Sequence, residues 1–212
     1  MLENEPILLW SFFFGLVLAS VIYIGKQITK WNVLTVILLI AGAGLAYYIT
    51  TLNPLVTESS SSLFLFLAGA IAICAMILPG ISGSFILVLL GAYKPVLAAV
   101  NDRNFTVISA IGAGTIVGLL TFSRVLKWLF ANFKNYTLAV LTGFIIGSLN
   151  KIWPWKETLT WRTNSHGEKV PFNQQSVSPF HFEDNQLLYA TILAIIGFGF
   201  ILLLEKLAVK KD

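Results

Sequence analysis

Charge is scarce in this sequence. Of its 212 residues only 11% are charged while 57% are hydrophobic, and the mean hydropathy is +0.81. Soluble domains carry roughly 25% charged residues, so most of this surface must face something other than water. A soluble globular domain is thereby excluded. Cysteine is limited to Cys74, inside an apolar run. A single cysteine cannot form an internal disulfide, and no spacing suggests a metal site. The two histidines, His166 and His181, fall in a polar segment without partners at metal-ligand spacing and read as solvated loop residues. No Asp or Glu falls inside any long apolar run. The N-terminus opens with Glu3 and Glu5 instead of a basic region. Its apolar run is also too long for the h-region of a secretory signal. The formal net charge of +4 fits basic residues in cytoplasmic loops and not a nucleic-acid partner.

What is present is a succession of apolar runs. A membrane helix needs about 20 apolar residues, with a range of roughly 17–25. Runs over 7–25, 33–49, 105–122 and 187–204 predict spans, and a shorter one covers 136–149. Between 63–78 and 83–100 the chain predicts a hairpin of two apolar legs, the second interrupted by Lys94-Pro95. Residues 150–184 form a long polar loop. The expected fold is therefore a single all-α integral membrane domain over 1–212, a multi-helix bundle with a broken or re-entrant hairpin.

Lys and Arg cluster after the first span (Lys26, Lys30), after 105–122 (Arg124, Lys127, Lys134) and at the end (Lys206, Lys210, Lys211). All three clusters share one side if 63–100 begins and ends on the same side. Cationic loops stay cytoplasmic, which puts the C-terminus there. Glu3, Glu5, Glu58 and the 150–184 loop then lie outside. Trp10, Trp31, Trp128, Trp153 and Trp155 lie near span ends, where indoles anchor at the headgroup level. Gly114–Gly118 and Gly143–Gly147 have a spacing that lets helices approach closely.

The informative stretch is Pro79-Gly80-Ile81-Ser82-Gly83-Ser84, between two apolar segments. Irregular backbone at membrane depth is tolerated only where it is buried in protein or lines a wet cavity, and broken helices often form transporter substrate sites. The free N–H groups at the start of the second helix favour an anion. Gly80 and Gly83 allow close backbone approach, and Ser82 and Ser84 can cap the helix or donate hydroxyl hydrogen bonds. The plain alternative is a kinked helix or tight hairpin without a ligand. Arg124, in Thr121-Phe122-Ser123-Arg124, has a fork suited to phosphate oxygens, or it snorkels outward as an anchor. Lys94 likewise faces an interior cavity or points out beside Pro95.

These residues resemble the bacterial polyprenyl-phosphate transporters of the PopT type. The resemblance covers nearly the whole chain. It rests on Leu78-Pro-Gly-Ile-Ser-Gly-Ser-Phe85 with Gly91-Ala-Tyr93, on Phe122-Ser-Arg124, and on Leu141-Thr-Gly-Phe-Ile-Ile-Gly-Ser148 followed by Trp153-Pro-Trp155. It implies a transporter returning undecaprenyl phosphate across the bacterial cytoplasmic membrane for envelope synthesis, and an inverted-repeat fold with two re-entrant hairpins. The lipid phosphate is then expected at Pro79, Gly80, Ser82, Gly83 and Ser84, with Arg124 contributing charge. The family carries a first such loop in its N-terminal half, and this sequence has only one. It therefore looks like a C-terminal portion, half of an inverted-repeat fold, with a separate N-terminal half or a second copy as the expected partner. An acidic residue common in the family after Gly-x-Tyr is here Lys94, so no role of that carboxylate carries over.

Two other functions compete. Undecaprenyl-pyrophosphate phosphatases also use a membrane loop beginning Pro-Gly-x-Ser, but with an arginine where this chain has Gly83 and with glutamates on nearby helices. Phosphoryl chemistry needs positioned charge, usually a metal held by carboxylates. The apolar runs hold no carboxylates, so no enzyme, cofactor or metal is expected. An accessory membrane subunit without transport of its own is the other alternative.

Overall fold

The computed structural model describes residues 6–52, 61–163, 169–182 and 186–209. Glu3, Glu5, Glu58, His166, Lys210 and Lys211 lie outside them. The described residues contain helices α1 (Pro6–Lys26), α2 (Val33–Thr51), α3 (Ser62–Ile77), α4 (Gly83–Leu89), α5 (Tyr93–Asn101), α6 (Phe105–Ser148) and α7 (Leu187–Val209). Four of these are long and apolar enough to cross a membrane, and the α4–α5 pair would add a fifth. The 21 residues of α1 rise about 31 Å at 1.5 Å each, close to the roughly 30 Å hydrocarbon core. The protein is an all-α, multi-pass membrane protein carrying one small β-hairpin among the described residues.

Three expectations change. The leg over 83–100 is two helices, α4 and α5, bent by 108°. Its break is not at Lys94-Pro95 but at Gly91, whose φ is +75°. Pro95 falls in the first turn of α5, where its missing N–H costs nothing. Second, 105–122 and 136–149 are not separated by a basic loop. Helix continues through 123–132, and α6 is interrupted at Phe133 (φ −135°, ψ 41°). The 44 residues of α6 would span about 66 Å if straight, and the interruption leaves about 42 Å of helix before it and about 22 Å after it. Third, the polar stretch 150–184 is not all loop. β1 (Lys156–Thr163) pairs antiparallel with β2 (Lys169–Ser176). Water-facing backbone can pair across strands without any apolar signal. A lone hairpin is marginal, and its base is tied down: Val177 N–H donates to the Trp155 carbonyl at 3.0 Å, and the Trp153 indole N–H to the Val177 carbonyl at 2.9 Å.

The chain divides into two compact units, one drawn from Met1–Ile24 and Leu149–Asp212, the other from Gly25–Ser148. In the first, α1 and α7 pack closely, with Gly15 against the Ala194 backbone and Gly197 against the Phe12 carbonyl. In the second, the two halves of α6 each take one partner. Gly114 abuts Phe66 and Gly118 abuts Ala70, so α3 runs parallel to the first half. Gly143 abuts Leu39 and Gly147 abuts Ala43, so α2 runs parallel to the second half. A core of Ala46, Ala72, Ala75, Ile81, Ile86 and Phe144 joins these elements to α4.

Candidate functional site

The break between α3 and α4 follows from its residues. Proline disfavours helical backbone in the residue before it, and Leu78 is extended (φ −74°, ψ 129°). The helix therefore stops at Ile77. Gly80 then takes φ +94°, a left-handed conformation that costs an L side chain roughly 1–2 kcal/mol. A side chain there would also overlap the Ser148 hydroxyl. The loop thus rests on the C-terminal end of α6. Ser148 is buried, and its hydroxyl donates to the Ile145 carbonyl at 2.8 Å.

Ser82, not Ser84, caps α4. Its hydroxyl oxygen accepts from the Phe85 N–H at 3.1 Å, and its carbonyl from the Ile86 N–H at 3.2 Å. Ser84 lies one residue inside the helix, its hydroxyl 3.4 Å from that of Ser82. Both serines are exposed, while Ile81 and Ile86 on either side of them are buried. The loop therefore turns two hydroxyls outward from an apolar footing. Helix α4 has seven residues, so its dipole is short and the hydroxyls must supply much of any anion contact. A Cβ on Gly83 would come within 3.1 Å of the Ala72 carbonyl oxygen. Glycine there lets α4 fold back along α3.

Pro79, Gly80, Ser82, Gly83 and Ser84 are thus one loop. Arg124 is exposed on α6. In the register set by Phe66 beside Gly114 and Ala70 beside Gly118, it stands level with Met76, in the last turn of α3. No hydrogen bond or ion pair joins it to Ser82 or Ser84 among the described residues. Lys94 is exposed in the first turn of α5, and His181 is exposed in a short 3₁₀ turn. No group of three or more His, Cys, Asp or Glu is placed to hold a metal ion among the described residues. Sequence reasoning assigned no task to Ser148 or Gly91. A serine ending an apolar run is ambiguous, and glycine is too common in membrane helices for its backbone angle to be inferred.

A separate polar feature lies in the other unit. The Lys156 ammonium donates to the Lys151 carbonyl at 2.6 Å and sits 4.2 Å from the Trp10 ring centroid. Burial, with a smaller contribution from the Lys151 charge, pushes the Lys156 amine down to about 8. Trp153 packs edge-on against Phe14 and tilted against Trp155, both at 5.5 Å between ring centroids.

These features define a class: a multi-pass membrane protein whose apolar chain is interrupted by a hydroxyl-bearing glycine loop. The chain belongs to the undecaprenyl phosphate translocase-like family, whose model matches residues 1–170. It is similar to a polyprenyl-phosphate transporter of Vibrio cholerae, 48% identical over 215 residues, covering 99% of this chain and 70% of that protein. It is also similar to a polyprenyl-phosphate transporter of Staphylococcus aureus, 31% identical over 171 residues. That match covers 73% of this chain and 60% of the staphylococcal protein. No solved structure matches the chain.

Proposed function

We propose that this protein carries a polyprenyl phosphate, specifically undecaprenyl phosphate, across the bacterial cytoplasmic membrane, holding the phosphate at the α3–α4 break. It acts as a transporter and not as an enzyme, and serves lipid-carrier recycling for envelope synthesis. The observation that carries this reading is the break itself, with two exposed hydroxyls at a helix start between apolar segments. A phosphate head on an apolar chain needs hydrogen-bond donors at that kind of position and no charge along the rest of its path. The names of the two relatives support the substrate class.

Ser82 and Ser84 donate to phosphate oxygens, Pro79, Gly80 and Gly83 set the backbone close to the head, and Arg124 supplies positive charge from α6. The parallel course of α3 and the first half of α6 supports a re-entrant 63–100 segment that leaves and returns on one side. It also supports the orientation with Lys26, Lys30, Lys127 and Lys134 cytoplasmic, together with the C-terminus. A second half-site from an N-terminal half or another copy of this chain belongs to the same proposal, through the family's inverted repeat.

The test uses Ser82→Ala, Ser84→Ala and Arg124→Ala. Charge-assisted hydrogen bonds are worth roughly 1.5–3 kcal/mol, so each change is expected to weaken phosphate-lipid binding about ten-fold or more. Unchanged binding in all three folded variants would overturn the site assignment.

A further inference from the structure

The second unit carries a feature that its phosphate loop does not use. The turn between α1 and α2 is fastened to α6 just past the Phe133 interruption. The Thr29 N–H and hydroxyl both reach the Asn135 side-chain oxygen, at 2.9 Å and 3.2 Å. Asn32 donates to the Tyr136 hydroxyl at 3.3 Å, and its side-chain oxygen also caps α2 through the Thr35 N–H at 2.8 Å. Ile28 is buried beneath the turn. Two segments about a hundred residues apart are thereby held as one rigid surface.

The chemistry of that surface is one-sided. Lys30 directly follows the bonded Thr29, and Lys134 directly precedes the bonded Asn135. Lys127 lies on the second of these segments. Lys30, Lys127 and Lys134 are all exposed. Neither 27–32 nor 125–136 contains an Asp or Glu. Asp102 precedes the opposite end of α6, on the order of 40 Å away by helical rise. Tryptophan follows lysine in both segments, as Lys30-Trp31 and Lys127-Trp128. Trp31 is 55% exposed and Trp128 57% exposed, and exposed indoles next to a span settle among lipid headgroups. The lysines are therefore held at headgroup depth, where a membrane presents phosphate esters.

We propose that this clamped lysine–tryptophan surface is a docking site for anionic phospholipid headgroups. Positive charge on segments that carry no Asp or Glu of their own attracts the phosphodiester, the indoles fix the depth, and the Asn135 clamp keeps the two cationic segments adjacent. Ser82 and Arg124 have no part in it, so it stands independently of the phosphate-lipid reading above.

The experiment measures binding of fluorescent short-chain phosphatidylglycerol to the purified full chain in neutral detergent, with phosphatidylcholine as control. Each lysine near an anionic surface is worth roughly a five-fold change in affinity. Lys30→Gln combined with Lys134→Gln is therefore expected to raise Kd on the order of 25-fold. Asn135→Ala removes the clamp without changing charge, and is expected to weaken binding in the same direction by a smaller factor. Added salt weakens the wild type more than the double variant. The proposal is overturned if the folded double variant binds phosphatidylglycerol as tightly as the wild type, or if phosphatidylcholine binds equally well. It is also overturned if polyprenyl phosphate displaces the probe while excess unlabelled phosphatidylglycerol does not, because the surface would then belong to the transported lipid.

Discussion

Glycine does opposite work in two regions of this molecule. Along α2, α3 and α6, glycines are ordinary helical residues whose missing side chain lets another backbone in. Gly114 faces the Phe66 carbonyl and Gly143 faces the Leu39 carbonyl. Around α4, Gly80 and Gly91 supply left-handed backbone at φ +94° and +75°. The first kind makes the bundle tight, and the second turns the chain inside it. Composition cannot separate them. The difference lies in what a side chain would meet and in which backbone region it would have to occupy.

Substitutions can break this contrast. The largest effect is expected from Gly114→Leu or Gly143→Leu. The first added carbon already falls on a neighbouring carbonyl, and backbone cannot rotate aside. Overpacking costs about 1–3 kcal/mol and occasionally more, so the thermal midpoint in detergent should fall steeply or the monodisperse species should vanish. Gly80→Ala follows, with about 1–2 kcal/mol for the backbone plus the Ser148 overlap. Adding Ser148→Gly should recover the overlap part only. Gly91→Ala should cost about 1–2 kcal/mol. Next is Ser82→Ala, at about 1 kcal/mol for a lost cap, whereas Ser84→Ala should stay within roughly 0.5 kcal/mol. Equal costs for the two serines would contradict the assignment of the cap. Gly112→Ala is the control, since a side chain there meets nothing within 4 Å. It should leave stability unchanged or raise it slightly.

The smallest effect concerns pH. The Lys156 amine sits at about 8 in the folded protein against an ordinary 10.5. Between those values the unfolded chain binds more protons, so the group's contribution to stability rises with pH across that window. Below about 8 its penalty is present in full. Thermal melts at pH 7 and pH 10 should show the wild type gaining relative to Lys156→Met as pH rises. A parallel pH response of the two proteins would mean that this ammonium is ordinarily solvated.

Much of the architecture was legible because bilayer thickness imposes a length on every apolar run. The helix stop at Pro79, the restart at Gly83 and the serines at that restart follow from local chemistry that a sequence displays. The bend at Gly91 does not, because Lys94-Pro95 offered a louder signal for a break two residues into the next helix. The Phe133 interruption was hidden for the opposite reason. No proline or glycine marks it, and it coincides with Asn135 accepting hydrogen bonds from Thr29, about a hundred residues away. The β-hairpin was missed because its strands pair through backbone in a polar segment whose side chains give no apolar alternation. The Ser148 seat beneath Gly80 is a tertiary contact, visible only once the register of α6 is known.

The central claim is that the α3–α4 break receives a lipid phosphate. Its most direct test is binding of undecaprenyl phosphate to the purified, detergent-solubilised chain, with the neutral polyprenol of equal length as control. The account predicts saturable binding of the phosphorylated lipid, weak binding of the neutral one, and loss of the difference in Ser82→Ala combined with Ser84→Ala. Equal binding of both lipids to the folded wild-type chain would contradict it.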